Sequence, residues 1–412
     1  MKKFISIILS AAVIASAFAL SSCKENNNND NNEQSSEPSQ IVSESSVESV
    51  IEISIEASKP AITSTQLSQL NANISSYSKI PEFTCNSEKI NAKAISQNQS
   101  IMLVTENKSD SFCSLVSKQF SSAAKSAGFK NVAFPDTDGT PASYNDALAS
   151  AVNDGYKAVM MFGDIVKDDI SSEIERTQAN GIKVISAGNA GLAQNDHYVD
   201  NTVPINYQLV GQLLADWAVV KQSGKVNALA INYVDSGSSN AAYEGFAKEF
   251  QNYVSSGYCT TLNVTSIEIG NGLSTRIKSA LSEDPNLNYV IVFSDSLISD
   301  TVSAVDQSGS SVKVIATGGS QSAFESAENN HLEMLVAQSY EWTAYAMVDY
   351  TLRVISKSEL PEEQDVPVRI ITPDSIKTDI EEYGDDYEDV DGFYEICFGS
   401  AFVPGYSTLW NL

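Results

Sequence analysis

Residue types that make or break bonds are thinly spread along this 412-residue chain. His197 and His331 are its only imidazoles, one in a short polar turn and one ahead of an apolar run. An exposed loop position accounts for each better than a Ser-His-Asp triad does. No GxSxG, P-loop or HExxH pattern occurs, and Gly270-Asn271-Gly272 is too short for a dinucleotide fingerprint. The pairs Asp168-Asp169 and Asp385-Asp386 fall in turns or helix starts, where capping and solvation explain them. A different set of groups recurs at regular places. Short apolar runs end in Thr105-Glu106-Asn107, Gly163-Asp164, Ala187-Gly188-Asn189, Asp235-Ser236-Gly237, Ser294-Asp295-Ser296 and Thr317-Gly318-Gly319. Such hydroxyls, amides and carboxylates suit hydrogen bonding to a polar solute. The expectation is a binding protein with no enzymatic activity, no cofactor and no metal.

The elements that must position these groups alternate in type. Ile101–Val104, Asn131–Phe134, Ala158–Phe162 and Lys183–Ser186 read as strands, with helices predicted over 111–127, 143–153 and through 179. Gly128, Gly155 and Gly181 each precede a strand, where a left-handed helix cap belongs. The rhythm restarts after Pro204 with a helix over 205–221 that carries Leu209, Leu213, Leu214 and Trp217 at helical spacing. Strands follow near 226–231, 262–267, 289–293 and 312–315, with helices at 239–253, 273–282 and 297–307. Apolar strands alternating with helices predict an α/β protein of two doubly wound parallel-sheet lobes. A strand at 332–337, a helix at 340–356 and a strand at 366–371 exceed what one lobe requires and are expected to cross between the two. Ligands of open α/β sheets bind outside the carboxyl ends of the strands, which is where the polar groups sit.

Before the lobes the chain changes character. Lys2 and Lys3 precede an uncharged apolar stretch from Phe4 to Leu20, a secretory-signal pattern. Leu20-Ser21-Ser22-Cys23 resembles the lipobox of bacterial lipoproteins, so residues 1–23 read as a lipoprotein signal ending at its lipobox Cys, which implies cleavage ahead of Cys23 and lipidation of that cysteine as the new N-terminus. Residues 24–80 are rich in Asn, Ser and Glu and read as a disordered acidic tether. The alternating stretch Val47 to Glu56 reads as a strand or helix of transient character. A flexible linker of that length has an r.m.s. span of about 40 Å. The net charge of −27 argues against nucleic acid and against adhesion to anionic lipid, so attachment must rest on acyl chains. Cys85, Cys113, Cys259 and Cys397 permit one or two disulfides or a set of buried thiols. Residues 377–412 form an acidic then aromatic extension with no assigned role.

With its lipobox, tether and paired βα blocks, the chain resembles the sugar-family substrate-binding proteins of ABC importers, of the periplasmic binding protein type I fold. The pieces that carry the likeness are Ile182 to Ser186, Asp200-Asn201, Ala241 to Phe246, Phe293-Ser294-Asp295, Gly309, Val314 to Gly319 and Ala337-Gln338. They cover residues 98–376. The resemblance implies one lobe from 98–202 plus 339–358 and a second from 203–338 plus 365–376. It also implies a ligand site built from Thr105, Asn107, Ser111, Phe112, Asn189, Asn240, Ser294, Asp295, Gly318 and Gln338. Phe112 would form an aromatic wall for a sugar face, and Gln338 would offer an amide near the hinge. Ribose-binding relatives place Asp-Arg where this chain has Gly188-Asn189, an Arg near Asn240, an Asn at Ser294 and an Asp at Gly318. Those replacements imply another ligand, a weaker site or a changed role.

The function this implies is that of a monomeric, extracytoplasmic protein held to the bacterial membrane by lipidated Cys23. It would capture a small sugar-like ligand and present it to an ABC permease. A ligand-sensing receptor of the same fold feeding a membrane sensor is the alternative, followed by a surface hydrolase.

Overall fold

Short, fully apolar strands decide the architecture, because each must be covered on both faces. The computed structural model describes residues 51–53, 59–85, 87–108, 111–188, 197–361, 366–383 and 396–412, without side chains for 51–53, 111, 112 and 383. The signal segment, Cys23 and residues 24–50 lie outside them, as does Asn189. Lobe 1 is a five-stranded parallel sheet in the order β3-β2-β4-β5-β6. Its strands are β2 (Ser100–Thr105), β3 (Asn131–Ala133), β4 (Ala158–Phe162), β5 (Lys183–Ala187) and β6 (Asn201–Thr202). Helices α3 (Ser111–Ala127), α4 (Pro141–Asp154) and α5 (Ser171–Ala179) supply the crossovers. Gly128, Gly155 and Gly181 take positive φ, as a left-handed cap before a strand requires.

Lobe 2 is a seven-stranded sheet in the order β1-β8-β7-β9-β10-β11-β12. Its parallel strands are β7 (Lys225–Tyr233), β8 (Ser256–Val264), β9 (Tyr289–Val292), β10 (Lys313–Gly318) and β11 (Met334–Gln338). Antiparallel β1 (Ile51–Ile53) and β12 (Val368–Ile371) close its edges. Helices α6 (Tyr207–Lys221), α7 (Gly237–Tyr253), α8 (Leu273–Glu283), α9 (Ile298–Ser308) and α10 (Gln321–Glu328) cover it. The chain then returns to lobe 1 through α11 (Tyr340–Ser356), whose Trp342, Met347 and Leu352 are buried against the lobe 1 core. It passes between the lobes after β6, after β11 and between α11 and β12. Among the described residues no helix is long and apolar enough to cross a membrane.

One passage corrects the sequence reading, and a second takes a place that the sequence left unassigned. The predicted tether over 24–80 ends earlier, because α1 (Ser64–Tyr77) is a formed helix. Thr63 and Gln66 make a reciprocal capping box, and Leu70 and Ile74 are buried on α6 beside Leu213 and Leu214. Leu67, Leu70, Ile74 and Tyr77 follow helical spacing behind that box, a pattern obscured by the Ser- and Asn-rich composition around it, and each fully buried side chain contributes about 1.5–3 kcal/mol. The strap continues past Ser78 to lobe 1. There Phe83 packs on Trp342 and Tyr406, and α2 (Ala92–Ser96) follows. The C-terminal extension does the same. From α12 (Pro373–Tyr383) and buried Cys397 and Phe398 on lobe 2, it reaches lobe 1 as α13 (Phe402–Leu409), burying Tyr406 and Trp410.

A buried arginine in each lobe holds both passages. In lobe 2, Arg369 forms a two-pronged pair with Asp379, at 2.6 and 3.0 Å. It also donates to the backbone carbonyls of Ser78 and Cys397. In lobe 1, Arg353 donates to Asp349 at 2.8 Å and to the carbonyls of Glu88 and Glu359. Asp349 in turn accepts the Trp410 indole N–H at 3.0 Å. A groove of about 890 Å³ separates the strap from the hinge, lined by Tyr77, Ile80, Ile205, Leu360 and Val366. Cys85, Cys113, Cys259 and Cys397 are separate thiols. Burial pushes the thiols of Cys259 and Cys397 up to about 12.

Candidate functional site in the cleft between the lobes

The carboxyl ends of both sheets face a cavity of about 440 Å³. Lobe 1 supplies Glu106 after β2, Asp164 after β4 and Gly188 after β5. Lobe 2 supplies Tyr233 at the end of β7 and Ser236 beyond it, Ser294 and Asp295 after β9, and Gly318 at the end of β10 with Ser320 beyond it. Gln338 and Tyr340 close the hinge side. Each of these residues ends or follows a strand of the sheet core, so a rigid sheet fixes where it starts.

Asp295 is the most elaborately held group. Its carboxylate accepts from the backbone N–H of Gly319 (2.7 Å) and Ser320 (3.1 Å), from the Ser320 hydroxyl (2.9 Å) and from the Tyr340 hydroxyl (2.7 Å). Burial raises its proton affinity, and those four donors oppose the rise. The carboxylate also explains Gly318: a Cβ there would lie 2.0 Å from Asp295 Oδ1. Asp295 thus fills the space a side chain at 318 would use. Beside it, the Gln338 amide donates to Thr317 Oγ1 at 3.1 Å, and that hydroxyl donates to the Val336 carbonyl. Ser294 and Ser296 share a hydroxyl contact of 2.9 Å.

Asp164 joins the two lobes directly. Its Oδ1 accepts from the backbone N–H of Gly237, the first residue of α7, at 3.0 Å. Its own backbone N–H donates to Glu106 Oε2 at 3.2 Å. Burial, reinforced by the Glu106 charge, pushes the Asp164 carboxyl up to about 6, while Ser236, Gly237 and Lys167 pull the other way. Burial and the same two carboxylates, with Asp235, push the Tyr233 hydroxyl up to about 12. Tyr207 is buried, with its ionisation suppressed mainly by that burial and then by Asp164.

The residues singled out from sequence divide into three groups. Ser294, Asp295, Gly318 and Gln338 line the cavity. Thr105 is buried at the end of β2, and Asn107 bridges to Asp138, so neither is among the lining residues. Asn240 donates to the Val234 carbonyl and accepts from Asn232, closing the first turn of α7 while Ser236 and Ser238 face the cavity. The side chains of Ser111 and Phe112, and all of Asn189, lie outside the described residues. Glu106, Asp164, Tyr207 and Tyr233 were not singled out as ligand residues. Glu106 and Asp164 carry a readable signal, since each falls within two residues of the end of an apolar strand. The tyrosines gave none. Among the described residues no group of His, Cys, Asp and Glu could hold a metal ion.

This arrangement, two parallel-sheet lobes closing strand ends on a polar cavity, defines a hinged binding protein. Residues 101–359 match the family model for the periplasmic binding protein domain, and the chain belongs to that family. Solved structures agree in fold. A solute-binding protein from Agrobacterium vitis bound with α-D-tagatopyranose aligns at 15% identity and TM-score 0.58, over 68% of this chain and 96% of that one. A carbohydrate transporter protein from Acidothermus cellulolyticus in complex with myo-inositol aligns at 18% and 0.56, over 72% and 99%. A Burkholderia graminis solute-binding protein in complex with D-arabinose aligns at 14% and 0.59, over 69% and 98%. None of the curated proteins matches the sequence.

Proposed function

We propose that this chain is a lipid-anchored, extracytoplasmic solute-binding protein that captures a small sugar-like ligand and delivers it to an ABC importer. The observation that carries this reading is the cavity of about 440 Å³ between the carboxyl ends of two parallel sheets, lined by serines, carboxylates and tyrosines. A volume of that order admits a monosaccharide or cyclic polyol. Hydroxyl-rich walls with aromatic faces provide hydrogen bonds and flat apolar contact for a sugar ring. Solved relatives of the same fold carry tagatopyranose, myo-inositol and arabinose, which supports the ligand class. In this reading Ser294, Gln338, Glu106, Tyr233 and Tyr207 contact the ligand, because all five line the cavity. Phe112 and Asn189 keep the roles their resemblance implies, as aromatic wall and polar contact. The protein acts as a monomer, with binding alone as its chemistry.

A thermal-shift panel of pentoses, hexoses and cyclitols on the full-length protein in detergent tests the reading. A ligand that binds only the folded state raises the melting temperature as its concentration passes Kd. A panel without any concentration-dependent rise overturns it. Anchoring is tested by palmitate incorporation in the bacterial host, which Cys23→Ser should abolish. Delivery is tested by ligand uptake in cells lacking the gene. Unchanged uptake, with altered transcription in response to the ligand, would replace import by sensing.

A further inference from the structure

The ligand's charge class follows from how the cleft treats its own positive ends. A helix N-terminus presents unsatisfied N–H groups and a partial positive charge, so it is the place in such a fold where an anion would be held. Helices α7 and α10 both start at the cavity, where Ser236 and Ser320 cap them. Both starts are already occupied by carboxylates of this chain. Asp164 accepts the Gly237 N–H at the start of α7, and Asp295 accepts the N–H groups of Gly319 and Ser320 at the start of α10.

A second observation is independent of the first. The lining includes Glu106, Asp164 and Asp295 and no Lys, Arg or His among the described residues. Lys167 is near enough to favour the Asp164 charge, but it is buried and not a lining residue. An anionic ligand would therefore meet Glu106 and Asp164 with no cation among the described lining residues, and at the starts of α7 and α10 it would meet carboxylates already in place. In a site of low dielectric such like-charge contact is costly, whereas a protonated amine gains from the same carboxylates.

We infer that the cleft selects by charge, binding amine-bearing sugars or polyols more tightly than their neutral counterparts and rejecting sugar acids and phosphates. The inference rests on the solute-binding reading above and goes beyond it in naming the ligand class. Glu106 sets the preference from lobe 1, and Asp164 adds to it from the same sheet edge.

Matched trios that differ in one group provide the test: D-glucosamine, D-glucose and D-glucuronate, and D-galactosamine, D-galactose and D-galacturonate. Calorimetric titration of the full-length protein at pH 7.5 should give the amine about tenfold tighter than the neutral sugar in at least one trio. The acid should be at least about tenfold weaker, each factor of ten matching one modest charge contact. Glu106→Gln keeps the shape of the side chain and should bring amine and neutral sugar within about threefold. Asp164→Asn should shift the ratio the same way, so the result does not hang on one variant. An acid that binds as well as its neutral partner, or an amine without advantage, overturns the charge selection and leaves solute binding intact. Absence of binding by every member, together with a silent thermal-shift panel, overturns the solute-binding reading itself.

Discussion

Arg369 and Asp379 form a two-pronged ion pair in the interior of lobe 2, and the same guanidinium holds the carbonyls of Ser78 and Cys397. One side chain therefore fixes β12, α12, the N-terminal strap and the C-terminal extension together. Removing it strands a buried carboxylate and orphans two carbonyls. Arg369→Met should lower the stability measured by urea unfolding by about 3–5 kcal/mol. Arg369→Met with Asp379→Leu should recover a large part of that loss, because no unpaired charge remains. Equal losses in the single and double variants would show that the carbonyl contacts matter more than the pair.

Asp164 makes the closed arrangement sensitive to acid. Its carboxyl is raised to about 6 when lobe 2 covers it, and opening would return it toward its ordinary range near 4. The closed form then binds the proton more tightly, so acidification favours closure. Glu106, Lys167, Tyr207 and Tyr233 also face this group, and Glu106 stays beside it in either state because both belong to lobe 1. A distance reporter spanning the lobes should show the closed fraction rising between pH 7 and pH 5. Asp164→Asn, which mimics the protonated group, should flatten that profile.

Asp216 on α6 predicts a pH effect on stability. Its Oδ2 accepts from Asn73 of α1, while Oδ1 has no hydrogen-bond partner. Burial first, and then Glu249, push the carboxyl up to about 7. The ionised form is penalised only in the folded state. The penalty is complete above pH 7 and fades as the pH falls toward the unfolded value near 4. Melting temperature should therefore rise as the pH is lowered from 8 to 5.5. Asp216→Asn should melt higher than the parent at pH 8, by about 2–4 °C for each kcal/mol recovered. A parent whose melting temperature falls over that range would contradict the assignment.

Gly318 and Asp295 are predicted to be coupled. Gly318→Ala places a methyl group where the Asp295 carboxylate sits and should cost roughly 1–3 kcal/mol as the donors from Gly319, Ser320 and Tyr340 lose their partner. Asp295→Ser alone should cost a similar amount. If the two occupy one space, the double variant should be no worse than the worse single, as a denaturation cycle would reveal. Additive losses would separate them.

Legibility in the sequence followed burial. α3, β4 and α11 fall on 111–127, 158–162 and 340–356, the ranges their apolar spacing predicts, because all three are core elements. β8 was read at 262–267 but spans Ser256–Val264. Its first residues, Ser-Gly-Tyr-Cys-Thr-Thr, lie near the sheet edge and need no apolar run. Helix α10 was missed for a similar reason, since Ala323, Phe324 and Ala327 are its buried residues. In the cleft, strand ends pointed to Ser294 and Asp295. Nothing in one dimension could tell that Asp295 would occupy the space of residue 318, or that Asp164 would reach across to another lobe's helix. Those are relations between distant loops, and the apolar code specifies only the sheets beneath them.

The strap that runs from α1 past Ser78 to Phe83 also sets a load path. A pull on the N-terminal side of the protein would enter first through β1, paired with β8 at the edge of lobe 2, and then through the capped start of α1 and its apolar seat on the same lobe. Arg369 would take up part of it at Ser78, and Phe83, wedged against Trp342 and Tyr406, would pass the remainder into lobe 1. The force would thus be shared by both lobes on the hinge side, away from Asp164 and Gly237. Tension on the leading segment would leave the mouth of the cleft mechanically quiet.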